Sequence, residues 1–249
     1  MKRAILKPKL PGKMAPYAFS GVVWVGLWLT GWLSEGCFAQ LNPNITIERD
    51  VAYGAVGDRK LVLDIVRPKP EPKDPMPVVV FIHGGGWAGG NKQHGLPFLV
   101  PLAEKGYFCV SVGYRLTGEA PWPAQIHDCK AAIRWLRANA QKYHLNPDKI
   151  GVWGASAGAH LALMVGFTSD QAELEGQSGS PGQSSRVACV VNWFGPTELL
   201  DAWKDPSLPP MVKDVLNKLV GGSVEEKQDV LKAASPITYV SKDDPPVLT

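Results

Sequence analysis

Histidine is scarce in this 249-residue chain: there are five, and none follows His160. Cysteine is scarcer still, with four at unrelated spacings, Cys37, Cys109, Cys129 and Cys189. That pattern excludes a disulfide framework and a zinc site. Cys109 and Cys189 fall in strand-like runs and Cys129 in a helical one, where a thiol is expected as a small buried apolar group. Acid is nearly missing from the first 39 residues, in which Glu35 stands alone against Lys2, Arg3, Lys7, Lys9 and Lys13. Those cations create the formal charge of +3. Of 26 basic and 23 acidic residues, 21 and 22 lie outside that segment. No basic patch interleaved with aromatics is present, which argues against nucleic acid as a partner. Internal repeats are absent as well, and neither a metal nor a cofactor is expected.

The basic start leads into an uncharged apolar run, residues 21–33, and then Cys37-Phe38-Ala39-Gln40 with small residues at the −3 and −1 positions. This is the pattern of a signal peptide over residues 1–39, cut after Ala39. Export to a periplasmic or extracellular space is expected, with no stable membrane span after cleavage. The alternative is an amino-terminal anchor, because residues 15–34 carry no charge and could just cross a bilayer. Residues 40–249, within a chain that is 45% apolar, suffice for one substantial α/β core.

The densest signal in that region is Val152-Trp153-Gly154-Ala155-Ser156-Ala157-Gly158-Ala159-His160, a G-x-S-x-G sequence between an apolar strand-like run and an Ala/Leu-rich helical one. Strand, tight turn and helix are the context a nucleophile elbow needs. Gly154 and Gly158 remove Cβ atoms that would clash in the turn. Ser156 can then be held with its hydroxyl projecting, above a helix N-terminus whose free amides suit a developing oxyanion. Upstream, Pro77-Val78-Val79-Val80-Phe81-Ile82 runs into His83-Gly84-Gly85-Gly86-Trp87. Glycines after a β-branched run let backbone amides approach a substrate closely.

With Gly113-Tyr114-Arg115-Leu116, Pro121-Trp122-Pro123 and Phe194-Gly195-Pro196-Thr197, these motifs resemble α/β-hydrolase esterases of the hormone-sensitive-lipase type and their bacterial carbohydrate- and feruloyl-esterase relatives, over residues 61–249. The resemblance implies an acyl-enzyme on Ser156. It also implies an oxyanion hole built from the amides of Gly85, Gly86 and Ala157, with His83 and Trp87 supporting that loop. The expected substrate is a small acyl, acetylated-carbohydrate or aryl ester, and Trp87, Trp122 and Trp203 are expected near it.

The rest of the pattern fits an α/β class. Residues 45–53 and 60–67 alternate as an antiparallel pair. From Pro77 strands and helices alternate: strands at 78–82, 107–112, 150–153 and 188–193, helices at 96–105, 124–143 and 160–167. That order predicts a mostly parallel, doubly wound sheet with helices on both faces and ligands at the carboxyl ends of the strands. Residues 169–185, rich in Gly, Ser and Gln, follow a helix and are expected as a mobile loop at the amino edge. Residues 195–236 follow a strand and are the candidate cap.

One part of the chemistry is missing. The resembling fold orders its triad as serine, acid, histidine. His160 is expected to pack or cap, and His94, His127 and His144 to be surface or helix residues. Glu198 or Asp201 could supply an acid, but no remaining residue supplies the base. The resemblance puts the acid and histidine beyond the strand beginning at 245–249, so the chain is expected to lack its last strands and helix and to be inactive by itself. A peptidase of the same fold and a non-catalytic binding protein are the competing readings. Ala155 argues against the first and the intact glycine loop against the second.

Overall fold

The computed structural model describes residues 42–249, so the signal-peptide reading of 1–39 lies outside the described residues. Two alternating runs come first. β1 (Ile45–Val56) and β2 (Arg59–Pro68) pair antiparallel around a two-residue turn. Leu61, Leu63 and Ile65 of β2 face one side and are almost fully buried. Each such side chain contributes roughly 1.5–3 kcal/mol by leaving water.

The strand–helix grammar then unfolds as β3 (Met76–Ile82), α1 (Leu96–Ala103), β4 (Phe108–Val112), α2 (Ala124–Ala138), β5 (Leu145–Ala155), α3 (Ala157–Phe167) and β6 (Cys189–Trp193). Three short helices follow, α4 (Leu199–Lys204), α5 (Pro210–Val220) and α6 (Gln228–Ala233), and then β7 (Val247–Leu248). Among the described residues the seven strands form one sheet in the order β1-β2-β4-β3-β5-β6-β7. β2 joins β4 antiparallel, and every pairing from β4 to β7 is parallel. Alternation along β3 divides the core. Val78, Val80 and Ile82 join the large cluster beneath α2 and α3, whereas Phe81 joins Leu99 and Ala103 of α1 on the opposite face. Helices therefore cover both faces, and β3, β4, β5 and β6 all end at one edge.

Four expectations are corrected. α2 stops at Ala138 rather than near Tyr143, because the Asn139 side chain takes the Trp135 carbonyl and the chain turns back to β3. There the His144 carbonyl accepts the Met76 amide, and β5 begins at Leu145 instead of Ile150. Cys109 and Cys129 are buried, but Cys189 is exposed on the sheet.

The fourth correction concerns residues 169–185, which are neither loose nor confined to the amino edge. They run along the outside of α2, bonded at each turn of that helix. His127 Nε2 meets the Glu173 carbonyl, Lys130 and Arg134 grip the Glu175 carboxylate, and Arg137 meets the Ser184 carbonyl. Ser178 then closes a two-way bond with the Ala55 backbone on β1. Two buried cations drew this segment in, since a buried charge without a partner is strongly unfavourable.

Candidate active site

Ser156 stands between β5 and α3 with φ 54 and ψ −122, a region costing a non-glycine residue about 1–3 kcal/mol. It persists because its neighbours leave no alternative. A Cβ on Gly154 would sit 2.2 Å from the Gly158 carbonyl oxygen, and one on Gly158 would sit 2.0 Å from that of Ile82. The elbow is thus pressed against its own helix and against the end of β3. The Ser156 amide donates to the Trp193 carbonyl, its side chain makes no cap bond, and the residue is exposed.

The glycine loop leaves the end of β3 directly over this turn. A Cβ on Gly84 would meet the Ala155 carbonyl oxygen at 2.7 Å and the Ser156 Cβ at 3.3 Å. Gly85 and Gly86 have φ of +115 and +59, which side chains rarely adopt. The Gly85 carbonyl accepts from Ala88 and Gly89, tightening the turn, while among the described residues no backbone carbonyl accepts the Gly86 amide. The Ala157 amide lies in the first turn of α3, where no intrahelical acceptor exists. Gly85, Gly86, Ala157 and Ser156 are thereby gathered at the carboxyl edge. Donors so placed can stabilise negative charge on a carbonyl attacked by the serine.

His83 and Trp87 hold the loop from below. His83 is buried and stacked on Tyr114 at 4.4 Å, and Nδ1 donates to the Gly84 carbonyl. Burial pushes it down to about 4 despite that acceptor, with His94 adding a little, so it is neutral at pH 7. Trp87, at φ 55, is buried, and its indole N–H donates to His160 Nδ1. Trp87 and Trp122 both flank the His160 ring instead of lining a substrate surface, and only Trp203 of the three tryptophans is half-buried on the outer segment.

His160 is enclosed, and burial pushes it down to about 4 against the pull of the Ala234 carbonyl bonded to Nε2. With both ring nitrogens engaged it cannot take a proton from Ser156. His94 is exposed with its ring 6.3 Å from that of His83, while His127 bonds Glu173 and His144 bonds Lys73. Glu198 caps α4 through Leu200 and meets Ser235, and Asp201 lies exposed beside Lys204.

Sequence reasoning missed an anchor. Lys92, just past the loop, is buried with Nζ 2.8 Å from Asp50 and 2.9 Å from Asp64, and Arg49 shares Asp64. Burial pulls Lys92 down, but the two carboxylates prevail and its pKa is raised. Asp64 within the apolar run of β2 was the available hint. From the opposite side α5 closes in: Val215 Cγ1 would lie 3.3 Å from a Cβ on Gly86, and the Leu219 carbonyl accepts the Trp122 amide. Among the described residues no three His, Cys, Asp or Glu gather as a metal site would require, and no helix is long and apolar enough to cross a membrane.

This constellation has a family. Residues 63–249 match the family described as BD-FAE. The chain belongs to that family of α/β-hydrolase esterases. Among curated relatives it is similar to Esterase LipC of Mycobacterium tuberculosis, 33% identical over 85% of this chain and 52% of the relative. The chain spans about half the length of the curated relatives it matches. Among solved structures it resembles a bifunctional GH43-CE protein of Bacteroides eggerthii, 38% identical with a TM-score of 0.71, covering 81% of this chain and 27% of that one. A truncated form of a carbohydrate esterase from gut microbiota is 32% identical with a TM-score of 0.71, covering 81% of this chain and 75% of that one.

Proposed function

We propose that the protein hydrolyses carboxylic esters through an acyl-enzyme on Ser156, with the amides of Gly85, Gly86 and Ala157 as its oxyanion hole. The observation that carries this reading is the contact between the two motifs. Gly84 sits against Ser156, so bare amides and a strained, exposed hydroxyl share one small space. Ser156 Oγ attacks the ester carbonyl carbon while a base other than His83 or His160 removes its proton. Collapse of the tetrahedral intermediate returns a proton to the departing alcohol, and water then releases the acid. One oxyanion donor is worth roughly 2.7–4 kcal/mol in such a step.

The substrate in this reading is a small acyl, acetylated-carbohydrate or aryl ester. The solved relative named a carbohydrate esterase supports the carbohydrate ester, and the exposed Phe194, next to the Trp193 whose carbonyl holds Ser156, suits the aryl ester. Residues 195–236, with α5 against the glycine loop, act as the cap. The leader reading belongs to the same proposal: the exported protein should begin at Gln40 on amino-terminal sequencing.

A fluorophosphonate should label the full-length protein at Ser156, and Ser156→Ala should abolish both labelling and hydrolysis of a short-chain nitrophenyl ester. Activity on an acetylated oligosaccharide but not on a peptide anilide separates the esterase from a peptidase. Labelling elsewhere, or persisting in the variant, overturns the reading.

A further inference from the structure

We propose that His160 is a positioning residue that clamps the two halves of the oxyanion hole together, through the bond its Nδ1 accepts from the Trp87 indole at 3.1 Å. The inference rests on the donor set named under Proposed function. Those donors come from segments some seventy residues apart in sequence. Gly85 and Gly86 belong to the loop after β3, and Ala157 to the first turn of α3. Catalytic geometry tolerates only about 0.5 Å of error, so something must keep the two segments in register.

The His160–Trp87 bond is placed to do this. Trp87 directly follows Gly86, and His160 lies one helical turn past Ala157 with its amide on the Ser156 carbonyl. The ring cannot drift. Nε2 lies 2.6 Å from the Ala234 carbonyl, which can only accept, so Nε2 carries the proton and Nδ1 is the bare acceptor that the indole requires. Trp87 and Trp122 box the ring edge-on at 5.0 and 5.8 Å. Gly195 packs against the backbone of that turn, because a Cβ there would sit 2.6 Å from the His160 amide nitrogen. Trp87 in turn keeps its left-handed backbone with its carbonyl taken by the Thr117 amide.

A histidine that merely filled space would be bettered by an apolar residue of the same shape, since a buried polar ring must be fully hydrogen-bonded to be tolerated. Here each nitrogen reaches a different segment: the glycine loop through Trp87, and the end of residues 195–236 through Ala234. Both bonds span more than seventy residues, with sequence separations of 73 and 74.

The test compares Trp87→Phe, His160→Leu, His160→Gln and the double variant Trp87→Phe/His160→Leu, each confirmed folded by its melting curve. Trp87→Phe removes the indole donor and keeps an aromatic ring. It and His160→Leu should lower kcat for a nitrophenyl ester roughly 10- to 100-fold with KM changed less than about threefold, because the donors act on charge present only in the transition state. His160→Gln, which keeps an acceptor and a donor, should recover part of the loss. The double variant should be little worse than either single one, as expected for two partners in one bond. A loss confined to KM, an additive double variant, or unchanged kcat in Trp87→Phe overturns the clamp. If the full-length wild type hydrolyses no ester, the reading of Ser156 fails instead, and the clamp is judged by nitrogen NMR of the His160 ring. That spectrum should show a neutral ring protonated at Nε2 at pH 7, with Nδ1 shifting in Trp87→Phe. A ring protonated at Nδ1 overturns it.

Discussion

Two glycine-rich loops of this protein look alike in composition and do opposite things. Residues 84–90 leave the end of a strand, leave the Gly86 amide without a backbone acceptor among the described residues, and lie against Ser156. Residues 176–182 leave the end of a helix and are laced to α2 and β1 by charged and hydroxyl side chains. Glycine in the first is required by positive φ and by backbone packed within contact distance. In the second it is partly incidental, since a Cβ on Gly182 would meet nothing within 4 Å. Composition alone therefore does not separate a built surface from a connector. What each loop lies against does.

Five experiments break or sharpen that contrast. The largest effect belongs to Ser156→Ala, which should cost roughly 10⁴-fold or more in kcat, as removing a nucleophile does in comparable hydrolases. Rate measurements against a nitrophenyl ester read this directly, and a loss below tenfold would detach the first loop from any role in catalysis. Gly86→Val comes next. Its new Cβ meets Val215 at 3.3 Å at a φ of +59, so the amide should move and kcat fall roughly 10²- to 10³-fold with little change in KM. Gly182→Ala is the matched control in the second loop and should alter neither kcat nor melting temperature measurably.

The second loop breaks differently. Glu175→Gln strips the carboxylate from Lys130 and Arg134, whose side chains are 0% and 1% exposed. Leaving buried cations unpaired should destabilise the fold by about 3 kcal/mol with kcat nearly unchanged. Urea unfolding measures the first quantity and hydrogen exchange over residues 169–185 should quicken with it. If kcat fell with stability intact, that loop would belong to the site after all.

A pH dependence is built beneath the first loop. His83 and His160 are lowered from 6.5 to about 4. As pH falls below 6.5 the unfolded chain takes up protons that the folded rings refuse. Stability is therefore full above about pH 6.5, declines toward pH 4, and levels off below. Each ring should account for roughly 2 kcal/mol between pH 6.5 and 5, above the main titration of carboxylates. Urea midpoints across that window check it, and a flat profile would mean that the rings are charged or open to water in the fold.

The elbow, the glycine loop, Ser156 and the parallel sheet were legible in the amino-acid sequence for a local reason. Each depends on steric and periodic rules acting over a few neighbouring residues: no Cβ at Gly154 or Gly158, β-branched runs at 78–82, alternation in β2. Other features depend on partners far along the chain, and only the tertiary structure decided them. Trp87 and Trp122 turn inward because the His160 ring lies between them, and His160 has its tautomer because Ala234 is there to accept. Residues 169–185 are held because α2 carries Lys130 and Arg134 on the side they cross. Lys92 is buried because Asp50 and Asp64 converge on it from β1 and β2. A buried charge or ring nitrogen takes whatever partner the fold delivers, and that delivery is a property of the packed sheet rather than of any window of sequence.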